Sequence, residues 1–572
     1  MTTSELIKSN YFKKVKKMKT TKLILIGLLA LMGLSKNANA QVMVKDINPG
    51  ANASSPFGLT NGTGALYFNA DDGTNGKELW KSDGTSAGTM MLKDINLGAT
   101  GSGPSVFLDI NGTLFFYAND GSNGRELWKS DGTAAGTVMV KDIFPGTSGS
   151  GSDLLFNFNG NLFFPADDGV NDTELWKSDG TAAGTVMVKD IKAGSGASYP
   201  NDFTVLGSNL FFVADDGVNG KEIWKSDGTA SGTVLLKDIY TGSISSYPGR
   251  FDTLNGNLFF VASDGTNGIE LWKSDGTTAG TSILKDISPA VGGSNPGPLS
   301  NLNGTLYFNA DNGINGRELW KSDGTVSGTL MVKDINPGLS DGIYIYSQFC
   351  FANGNIFFRA DDGTNGGELW KSDGTTAGTV MVKNINPGSN GSLDQYFYKL
   401  INVGGTIYFN ANNGSNGIEL WKSDGTSAGT ALQLDINPGA GSSDPSGFAI
   451  SNSMLFFTAD DGINGRELWK YTLVTGIVQT TADLPQNYTL SQNYPNPFNP
   501  TTNIRFEISG SGFVSLKVFD LLGKEVASLL NEYKSAGNYD VNFDASKLSS
   551  GIYFYKLQTG NFNSTKKMVL TK

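Results

Sequence analysis

All nine tryptophans of this chain fall in one recurring motif, Glu-Leu-Trp or Glu-Ile-Trp. Successive tryptophans lie 48 residues apart, with two exceptions at 50 and 51. They are Trp80, Trp128, Trp176, Trp224, Trp272, Trp320, Trp370, Trp421 and Trp469. A period of this length is typical of solenoids and propellers, in which one small unit of secondary structure is stacked many times.

One unit reads FTVLGSNLFFVADDGVNGKEIWKSDGTASGTVLLKDI, from Phe203 to Ile239. Its apolar runs (FTVL, NLFFVA, KEIWKS and TVLLKDI) are short and separated by residues that favour tight turns, so four strands are predicted and helix is disfavoured. Side chains alternate along a strand, which places Ile223 on one face and Trp224 on the other. Both faces then need an apolar cover, and neighbouring copies can supply it. The prediction is an all-β fold, a repeat β-propeller.

The two ends of the repeat complement each other. Val42 to Ile47 reads as a fourth strand without its first three, and the last unit stops after its third strand at Tyr471. We therefore predict nine four-stranded blades, closed by pairing of the N- and C-terminal strands. Nine exceeds the usual four to eight blades, so an open superhelix or two smaller rings remain alternatives.

The first forty residues have the pattern of a secretory signal peptide. Lysines precede an apolar run from Leu23 to Leu34, and a small-residue cleavage pattern ends at Ala40. Cleavage is expected between Ala40 and Gln41, and Met18 is an alternative start. No later stretch approaches the roughly 20 apolar residues that span a bilayer, so no transmembrane segment is expected in the mature chain.

Composition excludes several functions. The chain has no histidine and one cysteine, Cys350, which rules out Ser-His hydrolases, His-ligated metal sites, iron–sulfur clusters and an intrachain disulfide. The net charge of -11 argues against a nucleic-acid partner, because such partners are bound by clustered lysines and arginines.

The repeated ELWKSDGT sequence resembles the ELWxxDGT repeat of secreted bacterial proteins, with the blade layout of a kelch-type propeller. The resemblance covers residues 41–471. It implies a secreted propeller and says little about activity, because propellers serve as enzymes, lectins and scaffolds.

A different pattern follows a predicted linker over residues 472–489. Residues 490–572 resemble the type A C-terminal sorting domain of the type IX secretion system, and period-two strands there predict a small Ig-like β-sandwich. The matching residues are Asn493, Tyr494, Pro495, Asn496, Pro497, Phe498, Gly523, Gly537, Gly551 and Tyr553. The resemblance implies that the type IX machinery is a partner and that the protein is secreted or held at the outer cell surface.

Two sets of repeated carboxylates could carry chemistry. Asp-Asp-Gly loops follow the second strand of most units, and calcium is a possible ligand there, although turn formation explains the same residues. The candidate calcium ligands are Asp71, Asp72, Asp167, Asp168, Asp215, Asp216, Asp361, Asp362, Asp460 and Asp461. The glutamate of Glu-Leu-Trp recurs in equivalent settings, whereas a catalytic pair needs two unlike environments, so a structural role is expected for it.

The links between units differ most, and binding usually resides in variable loops on a rigid scaffold. Two longer links carry candidate ligand-binding aromatics: Tyr344, Tyr346, Tyr396, Phe397 and Tyr398. The alternative is that these side chains point into the core.

These observations favour a secreted or cell-surface, non-catalytic repeat protein that binds an extracellular protein or polysaccharide. No cofactor other than possible calcium is expected. A structural adhesion spacer is the alternative, and a carboxylate-based carbohydrate-active enzyme is the weaker one.

Overall fold

A computed structural model describes residues 41–62, 64–289, 292–396, 398–473, 478–479, 488–509, 512–534, 537–546, 548–559 and 562–571. The predicted signal peptide, including Ala40, and Phe397 lie outside these residues. Strands and turns make up the described chain, and it contains no helix that could cross a membrane.

The repeat forms nine four-stranded antiparallel sheets among the described residues. The first strand of the chain is β1 (Gln41–Lys45). Sheet 1 contains β2 (Phe57–Gly62), β3 (Ala65–Asp71), β4 (Lys77–Ser82) and β5 (Met90–Lys93). Sheet 2 contains β6 (Ser105–Ile110), β7 (Thr113–Asn119), β8 (Arg125–Ser130) and β9 (Val138–Lys141). Sheet 3 contains β10 (Phe156–Phe158), β11 (Asn161–Asp167), β12 (Thr173–Ser178) and β13 (Val186–Lys189).

Sheet 4 contains β14 (Asn201–Leu206), β15 (Asn209–Asp215), β16 (Lys221–Ser226) and β17 (Val234–Lys237). Sheet 5 contains β18 (Gly249–Leu254), β19 (Asn257–Ser263), β20 (Ile269–Ser274) and β21 (Ser282–Lys285). Sheet 6 contains β22 (Ser300–Leu302), β23 (Thr305–Asp311), β24 (Arg317–Ser322) and β25 (Leu330–Lys333).

Sheet 7 contains β26 (Cys350–Ala352), β27 (Asn355–Asp361), β28 (Gly367–Ser372) and β29 (Val380–Lys383). Sheet 8 contains β30 (Leu400–Val403), β31 (Thr406–Asn412), β32 (Ile418–Ser423) and β33 (Ala431–Leu434). Sheet 9 contains β34 (Ser446–Ser451), β35 (Met454–Asp460), β36 (Arg466–Thr472) and, as its fourth strand, β1.

Strand β1 pairs antiparallel with β36, so the N-terminal strand completes the last sheet of the repeat. Met43 lies opposite Trp469 and Val42 opposite Lys470. The sequence predicted this pairing, because each end of the repeat lacked what the other supplied.

Consecutive sheets pack through their apolar faces. On β19, Phe260 packs with Phe211 of sheet 4, whereas Phe259 packs with Phe308 of sheet 6. Adjacent side chains of one strand thus serve two interfaces, because they point to opposite faces. The same pattern joins sheet 9 to sheet 1, where Val44 and Ile47 are buried with Phe68. The tryptophans lie in these interfaces, as predicted.

Two lysines of most units add polar contacts between neighbouring sheets. Lys81 Nζ donates to the Gly132 carbonyl of sheet 2, and Lys45 Nζ donates to the Thr89 carbonyl while lying 5.6 Å from the centre of the Trp80 ring. Equivalent lysine contacts join the other consecutive pairs of sheets up to sheets 7 and 8. Among the described residues, none joins sheets 8 and 9. Between sheets 9 and 1, Lys470 Nζ donates to the Gly84 carbonyl. Cations over aromatic faces are attracted by the ring quadrupole.

The glutamate of the third strand is completely buried in all nine sheets. Glu222 shows the pattern: its carboxylate accepts the Ile239 N–H at 3.0 Å, the Ser246 N–H at 2.9 Å and the Ser246 hydroxyl at 2.6 Å. Ile239 and Ser246 lie at either end of a link to the next sheet. In the last sheet Glu467 binds Ile47 and Ser54 in the same way, so this carboxylate also holds the N-terminal segment.

The C-terminal residues form two further four-stranded sheets. One contains β37 (Val478–Gln479), β38 (Thr489–Leu490), β39 (Thr501–Ile508) and β42 (Gly537–Asp544). The other contains β40 (Gly512–Phe519), β41 (Glu525–Lys534), β43 (Gly551–Thr559) and β44 (Phe562–Leu570). Residues of both sheets share one apolar core, which includes Ile504 and Tyr555. Within the predicted linker, Val478 and Gln479 pair with β42 and therefore belong to this unit.

The sorting-motif residues occupy the edges and core of this unit. Asn493 is buried, with its N–H donating to the Tyr555 hydroxyl at 2.7 Å, and Phe498 lies in the core. Asn496 accepts the Val569 N–H, while Tyr494 is 82% exposed. Gly523 takes a φ of 80° in the turn before β41, and Gly537 and Gly551 begin β42 and β43. The Tyr553 hydroxyl donates to the Ser549 carbonyl.

Loss of β1 is expected to destabilise the repeat. A chain that begins at Asn48 lacks Val44 and Ile47, whose burial contributes about 3–6 kcal/mol, and it lacks the backbone pairing with β36. We expect its melting midpoint to lie about 5 °C or more below that of a chain that begins at Gln41. The control is Val42→Ser, which changes a 40% exposed side chain of the same strand. Equal midpoints for the two chain lengths would contradict the role of β1.

The buried glutamates are expected to make stability depend on pH. Burial outweighs the hydrogen bonds from Ser246 and Ile239 and raises the pKa of Glu222 to about 7, and the pKa of Glu318 is raised likewise to about 7. The folded chain then holds protons that the unfolded chain loses above about pH 4.5, so these two groups favour folding at pH 5 and less so at pH 8.

The test is the melting midpoint from pH 5 to 8 for the natural chain and for the variant with Glu222→Gln and Glu318→Gln. The variant should melt lower throughout, because an amide donor faces N–H donors, but its midpoint should fall less steeply as pH rises. Parallel curves would refute the assignment of this pH dependence to the two glutamates.

Candidate ligand-binding surface

One face of the repeat carries its variable residues, and we call it the link face. It consists of the described residues of the links between sheets (46–56, 94–104, 142–155, 190–200, 238–248, 286–289, 292–299, 334–349, 384–396, 398–399 and 435–445) and of the loops between second and third strands, such as residues 72–76. Links and loops lie side by side, since the Asp71 N–H donates to the Ser54 carbonyl and the Gly103 N–H to the Lys77 carbonyl.

The Asp-Asp-Gly loops of the link face use their carboxylates within their own turns. Asp71 accepts the Gly73 N–H, and Asp72 accepts the N–H groups of Thr74 and Asn75 and the Asn75 amide. Burial opposes ionisation of Asp72, but the hydrogen bonds outweigh it and lower the pKa of the carboxyl. Asp167, Asp215, Asp361 and Asp460 repeat the contact of Asp71, and Asp168, Asp216, Asp362 and Asp461 repeat those of Asp72.

Within the described residues, no group of three or more carboxylates or thiols is gathered as a metal site. The turn hydrogen bonds account for the acidic residues without a cation. The calcium ligands stay a prediction, and the glutamates of the third strand are too deeply buried to reach a ligand on the surface.

Three tyrosines of the two longer links meet on the link face. The Tyr344 ring lies 5.7 Å from the Tyr346 ring and 5.3 Å from the Tyr396 ring, measured between centroids, and both contacts are edge to face. Tyr346 is 62% exposed and Tyr396 is 61% exposed. Local hydrogen bonds shape the links: the Ser347 N–H donates to the Tyr344 carbonyl, and the Tyr396 N–H donates to Asp394.

Tyr398 does not join this cluster. It is 7% exposed and packs with Ile407 and Trp421 in the core between sheets 7 and 8, and its hydroxyl contacts the Gln348 backbone. Burial raises the pKa of its phenol. The expectation that Tyr398 faces a ligand is therefore wrong, because the chain has already turned inward towards β30. Phe397 lies outside the described residues.

Two further exposed tyrosines, Tyr199 and Tyr247, were not predicted. Each follows the buried serine that binds a third-strand glutamate, and each has a positive φ, 48° and 49°. The tripeptide Ser-Tyr-Pro, present in both links, is the signal that could have found them. Lys221 Nζ lies 5.8 Å from the centre of the Tyr199 ring.

A cavity of about 250 Å³ lies beside the tyrosine cluster. Its lining comes from the starts of β14 and β18 and from the link before β22: Asp202, Phe203, Arg250, Phe251, Pro298 and Leu299. The Arg250 guanidinium carbon lies 5.8 Å from the centre of the Tyr346 ring, which connects the cavity with the cluster.

Residues 492–571 match the family model described as the secretion system C-terminal sorting domain. The chain carries a type IX sorting domain. This domain indicates a secreted or outer-surface protein and implies the type IX machinery as a partner, as the sequence predicted. It also agrees with the position of the predicted motif from Asn493 to Phe498.

No curated protein matches the chain. Among solved structures, a puromycin-hydrolyzing peptidase of Mycobacterium tuberculosis is similar at 10% identity over 71% of this chain and 58% of its own, with a TM-score of 0.33. Prolyl oligopeptidase B of Galerina marginata is similar at 11% identity over 65% of this chain and 55% of its own, with a TM-score of 0.34. The SapL1 lectin, solved with alpha methyl fucoside, is similar at 12% identity over 68% of this chain and 97% of its own, with a TM-score of 0.21. The chain thus spans little more than half the length of the two peptidases.

Calcium is not expected to stabilise the repeat. A cation that bound the Asp-Asp-Gly loops would have to displace the hydrogen bonds between Asp72 and its own turn. We expect the melting midpoint in EDTA and in about 5 mM calcium, roughly tenfold above the Kd of a weak extracellular calcium site, to agree within about 1 °C. Magnesium at the same concentration controls for ionic strength. A rise of several degrees in calcium alone would make these aspartates ligands.

Proposed function

We propose that this chain is a secreted or cell-surface binding protein that holds an extracellular polysaccharide on its link face and has no catalytic activity. The observation that carries the proposal is the cluster of Tyr344, Tyr346 and Tyr396, whose rings contact one another while two of them remain largely exposed. Aromatic rings with a polar tip suit ligands that present both apolar faces and hydroxyl groups.

The proposed architecture is a nine-bladed propeller of the ELWxxDGT type, followed by an Ig-like sandwich. Closure of the ring is supported by the pairing of β1 with β36, by the burial of Val44 against sheet 1 and by the hydrogen bond from Lys470 to Gly84. Such a ring holds the links rigidly on one face, which lowers the entropic cost of ordering a binding surface.

The absence of catalysis is supported by the environment of the repeated carboxylates. Each third-strand glutamate is saturated by donors of its own sheet and link, and each Asp-Asp-Gly loop bonds to itself. Equivalent copies do not provide the separate acid and base that hydrolysis of a glycosidic bond requires.

Substitution of the exposed tyrosines is expected to weaken polysaccharide binding. The chain that begins at Gln41 is screened on a glycan array, and the affinity for the best polysaccharide is then measured by biolayer interferometry. Tyr346→Ala and Tyr396→Ala should each lower the affinity by about tenfold, the cost of one central contact residue.

Tyr494→Ala is the control, because Tyr494 is also an exposed tyrosine, at 82%, but belongs to the sorting domain. Equal affinity for all variants would refute the link-face site. A chain that binds no polysaccharide on the array would favour a structural spacer instead.

A further inference from the structure

The cavity beside the tyrosines is formed by the first strands of neighbouring sheets. These strands lie next to one another, since the Asn301 amide of sheet 6 donates to the Thr253 carbonyl of sheet 5. Asp202 is the second residue of β14 in sheet 4, and Arg250 is the second residue of β18 in sheet 5. The cavity walls are Phe203, Phe251 and Leu299, so two charged groups face an otherwise apolar space.

Asp202 and Arg250 occupy a backbone position that favours glycine. Each lies at a β-bulge, with φ values of 53° and 57°. The corresponding residues of sheets 1 and 9 are Gly58 and Gly447, at 70° and 63°. Residues with a Cβ are strained in this region. Charge at this position is not required by the fold, since glycine serves in two other sheets.

The Asp202 carboxylate has no hydrogen-bond partner among the described residues. Its Oδ2 lies over Gly249, where an added Cβ would stand only 2.8 Å away. Asp202 is exposed, but partial desolvation outweighs the attraction of Arg250 and raises the pKa of its carboxyl. A carboxylate in such a setting gains most from a ligand that donates hydrogen bonds to it.

Arg250 is held in place without pairing to Asp202. Its Nη1 donates to the Pro296 carbonyl, and its guanidinium faces the Tyr346 ring. No ion pair joins Arg250 to Asp202 within the described part of the chain, where ion pairs join other residues. Acceptor and donor therefore stay separate, and both are accessible from one cavity.

We propose that this cavity binds one neutral sugar unit through two adjacent hydroxyl groups. One hydroxyl donates to the Asp202 carboxylate, the next accepts from the Arg250 guanidinium, and the C–H face of the sugar ring packs on Phe203, Phe251 and Leu299. A hydroxyl both donates and accepts, so a vicinal pair satisfies the two unlike partners without adding a charge to an apolar cavity. The volume admits one ring, and the rest of the polysaccharide continues over Tyr346. This inference rests on the proposed function and names the part of the ligand that enters the cavity.

The test uses saturation-transfer NMR and calorimetry with methyl glycosides of common neutral hexoses, 6-deoxyhexoses and pentoses. Asp202→Gly and Arg250→Gly remove the two polar groups and restore the residue that sheets 1 and 9 use at this position. We expect at least one glycoside to bind the natural chain and each variant to lose at least about tenfold in affinity. The melting midpoints of the variants should be unchanged or higher, because the strain is relieved.

Val106→Gly is the matched control. Val106 occupies the same bulge position in sheet 2, with a φ of 57°, and lines no part of the cavity. It should leave glycoside affinity unchanged. Binding that survives both Asp202→Gly and Arg250→Gly would overturn the proposal, as would binding of free amino acids, whose ammonium and carboxylate could also meet the two groups, in place of glycosides.

The outcomes also separate this inference from the proposed function. A polysaccharide that depends on Tyr346 but binds Arg250→Gly and Asp202→Gly normally would refute the cavity alone. Failure of every glycoside and every polysaccharide to bind would refute both.

Discussion

The buried glutamate of each third strand connects a sheet to the link that leaves it. An ionisable side chain in an apolar interior is costly unless donors surround it. Here the donors are the backbone N–H of the second residue after the fourth strand and a serine at the far end of the link, as Ile95 and Ser102 show for Glu78. Both ends of the link are thereby fixed to the same carboxylate. The next sheet starts from a defined point, and its apolar face meets the previous one.

This arrangement explains where the chain tolerates variation. Residues between the two anchored ends of a link, and those just after its serine, do not bind the glutamate and so can differ between units. Four residues of the candidate site lie just after such a serine: Tyr199, Asp202, Tyr247 and Arg250. The link after sheet 6 differs most from this hydrogen-bonding pattern, because glycine, Gly342, occupies the position of the serine. A Cβ added to Gly342 would stand 2.5 Å from Glu318 Oε1. That longer link carries Tyr344 and Tyr346. The glutamate network thus fixes the ends of each link, and the candidate-site residues occupy the positions that the network leaves unconstrained.

Periodicity was enough to predict the strands, their turns and the pairing of β1 with the last sheet, because each depends on local pattern and on the two faces of a strand. Side-chain direction near irregular backbone was not predictable. Tyr398 follows Tyr396 at a spacing that suggests one shared face, yet the turn at residues 395–396 sends it into the core. Nothing in the sequence pattern singled out Asp202 or Arg250. They occupy a position that favours glycine because each lies at a β-bulge, and a β-bulge is recognised only from the pairing with the neighbouring strand.

Sheet 9 differs from the other sheets because its fourth strand, β1, comes from the N-terminal end of the repeat. Since β1 supplies its fourth strand, sheet 9 has no Ser-Asp-Gly-Thr turn to accept a lysine, and the preceding sheet has Leu434 where other sheets have lysine. Apolar contacts replace the lost polar ones: Tyr471 stands where other units have serine, its ring lies 5.5 Å from that of Tyr408, and Leu473 is buried with both. Among the described residues, the interface between sheets 8 and 9 therefore lacks both lysine contacts, whereas the interface that joins the chain ends keeps both.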